Sequence, residues 1–279
     1  MSDILTCAAP QPLAALLEIG RPLVMGVLNV TPDSFSDGGR FVAPDVAISH
    51  ARQMVADGAD IIDVGAESTR PYGGMKPVDT PEEISRLTPV LGPIVGLGRP
   101  VSVDTLKSSV AAWALDRGAA IVNDVWGLQR DPDMASLVAR RRVPVIVMHN
   151  RDTADPAIDI VDDVTRFFAR SLEIAAQAGI ARDRIVLDPG IGFGKTAEQS
   201  IACIGKLAAF RTFGLPILLG ASRKRFIASV VPSQPQERLA GSLAAHLIGV
   251  ENGAAIVRVH DVRETVQALR VADAIRSVT

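Results

Sequence analysis

Eight short apolar runs recur along this chain, and each is followed by a longer stretch or a loop that leads into one with helical periodicity. The runs are PLVMGVLNV (22–30), DIIDVG (60–65), PVSVD (100–104), AIVNDV (120–125), PVIVMH (144–149), RIVLDPG (184–190), PILLGAS (216–222) and AIVRVHD (255–261). They are continuously apolar rather than alternating, which marks parallel strands covered on both faces. The intervening stretches, such as PEEISRLTPVLGPIV (81–95), IVDDVTRFFARSLEIAAQAG (160–179) and AEQSIACIGKLAAFRTFG (197–214), read as amphipathic helices, and several end in a glycine suited to a left-handed cap, Gly179 among them.

Eight strand–helix units of roughly 30 residues each account for nearly all of the 279 residues. That is the count of an α/β fold of one kind, a single (β/α)8 TIM barrel. A doubly wound sheet is the alternative, but no Gly-rich first turn supports it. The expected organisation is an N-terminal tail with a short helix over 1–21, then one barrel domain over 22–279. Long loops follow strand 1 (TPDSFSDGGRFVAP, 31–44) and strand 2 (AESTRPYGGMKPVDTP, 66–81). Loops of this length in a compact barrel are binding loops, and both leave strand C-terminal ends, the catalytic face of the fold.

Charge and cysteine content narrow the classes. With 29 Lys+Arg against 31 Asp+Glu the net charge is -2, no footprint for nucleic acid or an anionic membrane. Cys7 and Cys203 are too few for a disulfide framework and form no CxxC pair. The N-terminus carries Asp3 and no basic segment, and every apolar run breaks well before about 18 residues. A protein of the cytoplasm is the expectation.

Each strand-like run delivers a polar residue at its C-terminal end. They are Asn29, Asp63 with Glu67 and Thr69–Arg70 beyond it, Asp104, Asn123 with Asp124, His149 with Asn150, Asp188, Ser222 with Arg223 and Lys224, and Arg258 with His260 and Asp261. The opposite ends are punctuated mainly by Gly, Pro and apolar residues, so the polar ring reads as a site. Bland readings stand beside it. Asp104 could equally cap the helix that follows. Asp63 reads as a structural acid of the barrel interior, and His50 and His246 as surface or packing residues. His149 and His260 end strands and read as functional, His260 the stronger of the two.

Several chemistries have no support. GIGFGKT fails both phosphate-loop patterns, because Pro189 and Lys195 stand where glycines are needed. No HExxH, Cys/His cluster or GxSxG elbow is present. What remains is a pocket of carboxylates and an amide (Asp104, Asn123, Asp188) beside cations (Arg70, Lys224, Arg258). The acceptors suit a heterocycle edge bearing N–H donors, and the cations with His260 suit an anionic leaving group. Asn29, with Asp33 in the first loop, suits Mg2+, which takes oxygen ligands and shares them with phosphates. The residues thus point to a heterocycle whose leaving group is a diphosphate.

The segments GVLNVTPDSFSDGGRF (26–41) and IIDVGAESTRPYG (61–73) resemble the two signature segments of the dihydropteroate synthases. VSVDT, IVNDV, MHNR, LDPGIGFGK, GASRK and VRVHD follow in that family's order, so the resemblance spans residue 22 to the C-terminus. It implies a TIM barrel that condenses (7,8-dihydropterin-6-yl)methyl diphosphate with 4-aminobenzoate, giving 7,8-dihydropteroate and diphosphate, in an SN1-like displacement with Mg2+. It implies that Asp104, Asn123, Asp188 and Lys224 hold the pterin ring, with Met148, Phe193 and Gly220 lining its pocket. Arg258 would stack on the ring and reach phosphate, Arg70 and His260 would hold phosphate oxygens, and Asn29 would ligate Mg2+. Thr69, Pro71, Ser222 and Phe35 would form the aminobenzoate side. A homodimer is also implied. Two rival readings share parts of the pattern: a methyltetrahydrofolate methyltransferase serving a corrinoid protein, which needs neither long loop, and a non-catalytic pterin-binding regulatory paralogue.

Overall fold

The computed structural model describes residues 12–31, 44–67 and 78–278. Eight parallel strands close into a barrel in sequence order: β1 (Leu23–Asn29), β2 (Ile61–Gly65), β3 (Val101–Asp104), β4 (Ile121–Asp124), β5 (Val145–Met148), β6 (Ile185–Asp188), β7 (Ile217–Leu219) and β8 (Ala254–Val259). The helices are α1 (Leu13–Leu17), α2 (Pro44–Ala56), α3 (Thr80–Val95), α4 (Ser108–Leu115), α5 (Met134–Arg141), α6 (Ile160–Ala178), α7 (Ala197–Gly205), α8 (Arg225–Val230), α9 (Leu239–Glu251) and α10 (Val262–Arg276). The expected (β/α)8 barrel is therefore present.

The helix ends follow local chemistry. Asp159 caps α6 by accepting from the N–H groups of Val161 and Asp162, and Gly179 ends that helix at φ 83°. Thr196 and Gln199 form a reciprocal capping box at the start of α7. The stretch 197–214 differs from the single helix expected: α7 stops at Gly205 and a 3-10 segment, Leu207–Phe213, completes it. Short α8 leaves no mark in the sequence pattern, since six residues give too little periodicity to detect.

Two apolar layers hold the fold. The larger packs the outward faces of the strands against the helices. The smaller fills the barrel's interior with Leu23, Met25, Ile61, Ile121, Ile146, Val186, Leu218 and Ile256, and includes Leu13 and Leu16 of α1. Helix α1 thus closes the barrel floor. Arg21 fastens the same end through a two-pronged pair with Asp60, at 2.8 and 2.7 Å, while Asp60 also accepts from Val24 N–H.

Candidate active site

Side chains two residues apart on a strand share a face. Two residues beyond the interior Met25, Ile61, Ile121, Ile146, Val186, Leu218 and Ile256 stand Val27, Asp63, Asn123, Met148, Asp188, Gly220 and Arg258. Buried Ser102 is followed in the same way by Asp104. Asp63, Asp104, Asn123, Asp188 and Arg258 thus enter the lining in one layer, directly above the core.

Arg258 organises that layer. Its Nε lies 2.6 Å from Asp63 Oδ2 and its Nη2 lies 2.6 Å from Asp104 Oδ2. Asn123 Nδ2 donates to the same Asp63 oxygen at 3.2 Å. Asp63 is the interior acid expected, and it is also the anchor that orients Asn123 and Arg258. Burial pushes the Asp104 carboxyl up to about 7 against the pull of Arg258, with Asp63, Glu83 and Asp188 adding to the rise. The two carboxylates hold the Arg258 guanidinium above its ordinary value despite burial. The capping alternative for Asp104 falls, because its side chain pairs with Arg258 and the N-cap position of α4 is held by Lys107, three residues further on.

Three buried acceptors in this layer have no donor among the described residues: Asp63 Oδ1, Asp104 Oδ1 and Asn123 Oδ1. A buried acceptor left without a donor costs free energy, on the order of 1–3 kcal/mol. The layer is therefore built for a ligand that brings N–H groups.

Asp188 continues the ring from β6. One of its oxygens accepts from Gly190 N–H at 2.7 Å, and burial raises its carboxyl above the usual carboxylate range, moderated by Lys224. A Cβ added at Gly220 would lie 3.9 Å from Arg258 Cβ and 4.0 Å from both Asp188 Oδ2 and Lys224 Nζ, so these three groups meet around that glycine. The Lys224 ammonium sits 4.4 Å from the Phe193 ring centroid and donates to the Ile191 carbonyl. Met148 is in register with Asp188 on the neighbouring strand. The structure thus brings together Asp104, Asn123, Met148, Asp188, Phe193, Gly220, Lys224 and Arg258.

His260 and Ser222 form an adjoining pair. Ser222 Oγ is 2.9 Å from His260 Nδ1 and accepts from His260 N–H at 3.2 Å. Arg223 between Ser222 and Lys224 adopts φ 57°, and its guanidinium grips Asp261, tying the end of β7 to that of β8. Asn29 is half-buried at the end of β1, in register with Gly65. Phe35, Thr69, Arg70 and Pro71 lie outside the described residues, as does Asp33.

Some residues serve otherwise than expected. Glu67 fastens the base of the second loop: one oxygen accepts from Val78 N–H at 3.0 Å and the other lies 2.5 Å from Lys107 Nζ, which also reaches Glu83. Asp124 folds a turn by accepting from the N–H groups of Trp126 and Leu128. His149 does not line the layer; it is fully buried between Asp163 and Lys195. The sequence position at a strand end could not distinguish these orientations. Lys195, which in the sequence only breaks a phosphate-loop pattern, is buried beneath its own loop, and its one further sequence signal is a place directly after three closely spaced glycines.

The pattern of the pterin binding enzyme family matches residues 25–260, and the chain belongs to that family. It is 48% identical over 255 residues to the dihydropteroate synthase of Bacillus subtilis, covering 91% of this chain and 88% of that one. Among solved structures, a Clostridium difficile dihydropteroate synthase determined in the presence of pteroic acid has a TM-score of 0.87 at 48% identity, covering 92% of this chain and 97% of that one. The Xanthomonas albilineans enzyme with 4-aminobenzoic acid has a TM-score of 0.89 at 42% identity, covering 93% and 95%. Within the family, the chain belongs to the dihydropteroate synthases.

Proposed function

We propose that this chain joins (7,8-dihydropterin-6-yl)methyl diphosphate to 4-aminobenzoate in the mouth of its barrel, with the roles set out below. The observation that carries the reading is the set of buried acceptors without donors among the described residues, Asp104 Oδ1 and Asn123 Oδ1 above all. A pterin edge carries the N–H groups that satisfy such acceptors, and Asp188 extends the row. Lys224 and Phe193 bound the ring from the β6 and β7 side, with Met148 and Gly220 leaving room for it.

Arg258 commits Nε and one N–H of Nη2 to carboxylates, and its remaining N–H groups serve phosphate. Arg70 and His260 complete the cationic end. In the reaction the C–O bond to diphosphate breaks with its electron pair leaving on the diphosphate. The exocyclic carbon then bonds to the arylamine nitrogen, which gives up a proton to solvent. Positive charge building on the pterin is stabilised by Asp104, and negative charge on the departing group by the cations, which is electrostatic catalysis with an SN1-like character. Phe35, Thr69, Pro71 and Ser222 receive the aminobenzoate, and exclusion of water from the barrel mouth keeps the cation from being trapped before the arylamine reaches it.

Mg2+ fits the donor set. Asn29 brings a side-chain amide oxygen to the end of β1, and an oxygen-seeking ion of this kind asks few ligands of the protein. Mg2+ is bound in that manner, through one or two side-chain oxygens with water and substrate phosphate. Asn29 would hold it, and the ion would neutralise charge on the leaving diphosphate.

A homodimer is part of this reading, supported by exposed Ile248 of α9 and Val271 and Ile275 of α10. So is a cytoplasmic setting; no helix among the described residues is long and apolar enough to cross a membrane. The test is chromatography of the products formed by purified protein with both substrates and Mg2+. Dihydropteroate that disappears when aminobenzoate is omitted supports the reading. Tight pterin binding with no product in the complete mixture overturns it in favour of a non-catalytic role.

A further inference from the structure

The loop between β6 and α7 contributes both Phe193 and the Ile191 carbonyl to the site, and its own backbone is held from behind by a buried lysine. Lys195 is 2% exposed, and its Nζ faces three acceptors: His149 Nδ1 at 2.6 Å, the Gly190 carbonyl at 3.0 Å and the Phe193 carbonyl at 3.1 Å. An ammonium has three N–H donors and no acceptor, which matches these three acceptors in number.

The imidazole is oriented by its other nitrogen. His149 Nε2 lies 3.1 Å from Asp163 Oδ2, an atom that also receives Arg151 Nη1 at 2.9 Å. A carboxylate only accepts, so the ring proton sits on Nε2 and the Nδ1 lone pair faces Lys195. Burial keeps the ring neutral, holding it down to about 4, with Lys195 and Arg151 opposing protonation and Asp163 favouring it. Burial also brings Lys195 down to about 8, while Cys203, Asp188 and Asp163 favour its charge and Arg151 opposes it.

The loop has no slack to replace this support. Gly190 and Gly194 have φ of 65° and 52°, and a Cβ on either would fall 2.0 Å from the His149 carbonyl oxygen or 2.4 Å from Arg151 Cβ. The backbone therefore lies against residues 149–151, with its carbonyls turned inward to Lys195. The opposite side of the same backbone serves the pocket: Gly190 N–H holds Asp188, and the Ile191 carbonyl receives Lys224.

We propose that Lys195, oriented by His149 and Asp163, is a positioning residue for the pterin pocket: it fixes residues 190–193 and through them Asp188, Phe193 and Lys224. The proposal rests on the reading of the barrel mouth as the pterin site. No part of the relay touches substrate, and its effect falls on the pterin half of the site alone.

Three variants test it, with pterin affinity, KM for each substrate, and the ring 15N spectrum of His149 as readouts. Lys195→Met is expected to weaken pterin binding by about tenfold while KM for aminobenzoate stays within about twofold; Lys195→Arg does not restore it, because a planar guanidinium cannot meet three convergent acceptors. Asp163→Asn, at a half-buried position, keeps the fold and gives a smaller loss in the same direction, together with a change in the His149 15N shifts from the Nε2–H tautomer. Asp188→Ala serves as the control for the site itself. If Asp188→Ala weakens pterin binding while Asp163→Asn alters the His149 spectrum without affecting pterin affinity, the positioning role is overturned and the site reading stands. Equal losses for pterin and aminobenzoate in Lys195→Met also overturn it, as the mark of general destabilisation. Unchanged pterin affinity in Asp188→Ala overturns the site reading.

Discussion

Arg258 and Asp104, 154 residues apart in the chain, meet across the barrel mouth with Nη2 2.6 Å from Oδ2. The same guanidinium holds the fully buried Asp63. Removing it leaves an uncompensated charge inside the barrel, and the loss of one partner from a buried pair costs about 3–5 kcal/mol. Arg258→Met is therefore expected to lower unfolding free energy by about that amount and to abolish product formation. Urea denaturation at neutral pH checks it; a loss below about 1 kcal/mol contradicts the account of this pair.

Pterin affinity should depend on pH through Asp104. Its carboxyl is raised to about 7 by burial, and the form that accepts a pterin N–H is the ionised one. As pH falls below 7 the proton must first be lost, so affinity weakens by up to about tenfold per unit and levels off above about pH 8. Binding titrations between pH 6 and 8 read this directly, and Asp104→Asn should flatten the profile at weaker affinity. A flat profile in the unaltered protein is the contrary result.

Two buried histidines predict acid sensitivity. Burial lowers both His149 and His246 to about 4, and neither nitrogen of His246 has a hydrogen-bond partner among the described residues. Their ordinary value is 6.5, so the unfolded chain binds more protons than the folded one between pH 6.5 and 4. The stability they confer is complete above pH 6.5 and is lost as pH falls toward 4, at about 1.4 kcal/mol per unit for each group. His246→Leu should shallow that slope by roughly half; unfolding free energies measured across pH 4–7 that keep the full slope would be inconsistent with it.

Asn29→Ala should raise the Mg2+ concentration giving half-maximal rate, by about tenfold if one oxygen ligand contributes about 1.4 kcal/mol. Pterin affinity measured without Mg2+ should not change. Rates across a Mg2+ series provide the check, and an unshifted midpoint removes Asn29 from the metal site.

The barrel was legible because strand runs buried on both faces leave an unbroken apolar record, and because each ends in a polar residue. The acceptor ring was legible for the same reason: Asp104, Asn123 and Asp188 close apolar strands, where such groups need partners. Direction was harder to read. His149 stands one residue past Met148, the register partner of Asp188, so the Asp188 carboxylate enters the ring while the His149 ring turns to Asp163 and Lys195. Lys195 shows the same limit, since spacing does not reveal that a long side chain folds back under its own loop. In the stretch 197–214 the apolar pattern continues past Gly205 although α7 ends there, because apolar spacing persists into a 3-10 segment.

The central claim is that the acceptors above the barrel core bind a pterin for condensation. It is tested most directly by titrating a dihydropterin into the unaltered protein and Asp188→Ala, then measuring dihydropteroate formation by both. Loss of a hydrogen bond to a charged group, with its former partner left unpaired, predicts affinity weaker by about 2–4 kcal/mol and a matching fall in product at low pterin concentration. Equal affinity and equal product from the two proteins would contradict the account, and would place the pterin away from this ring.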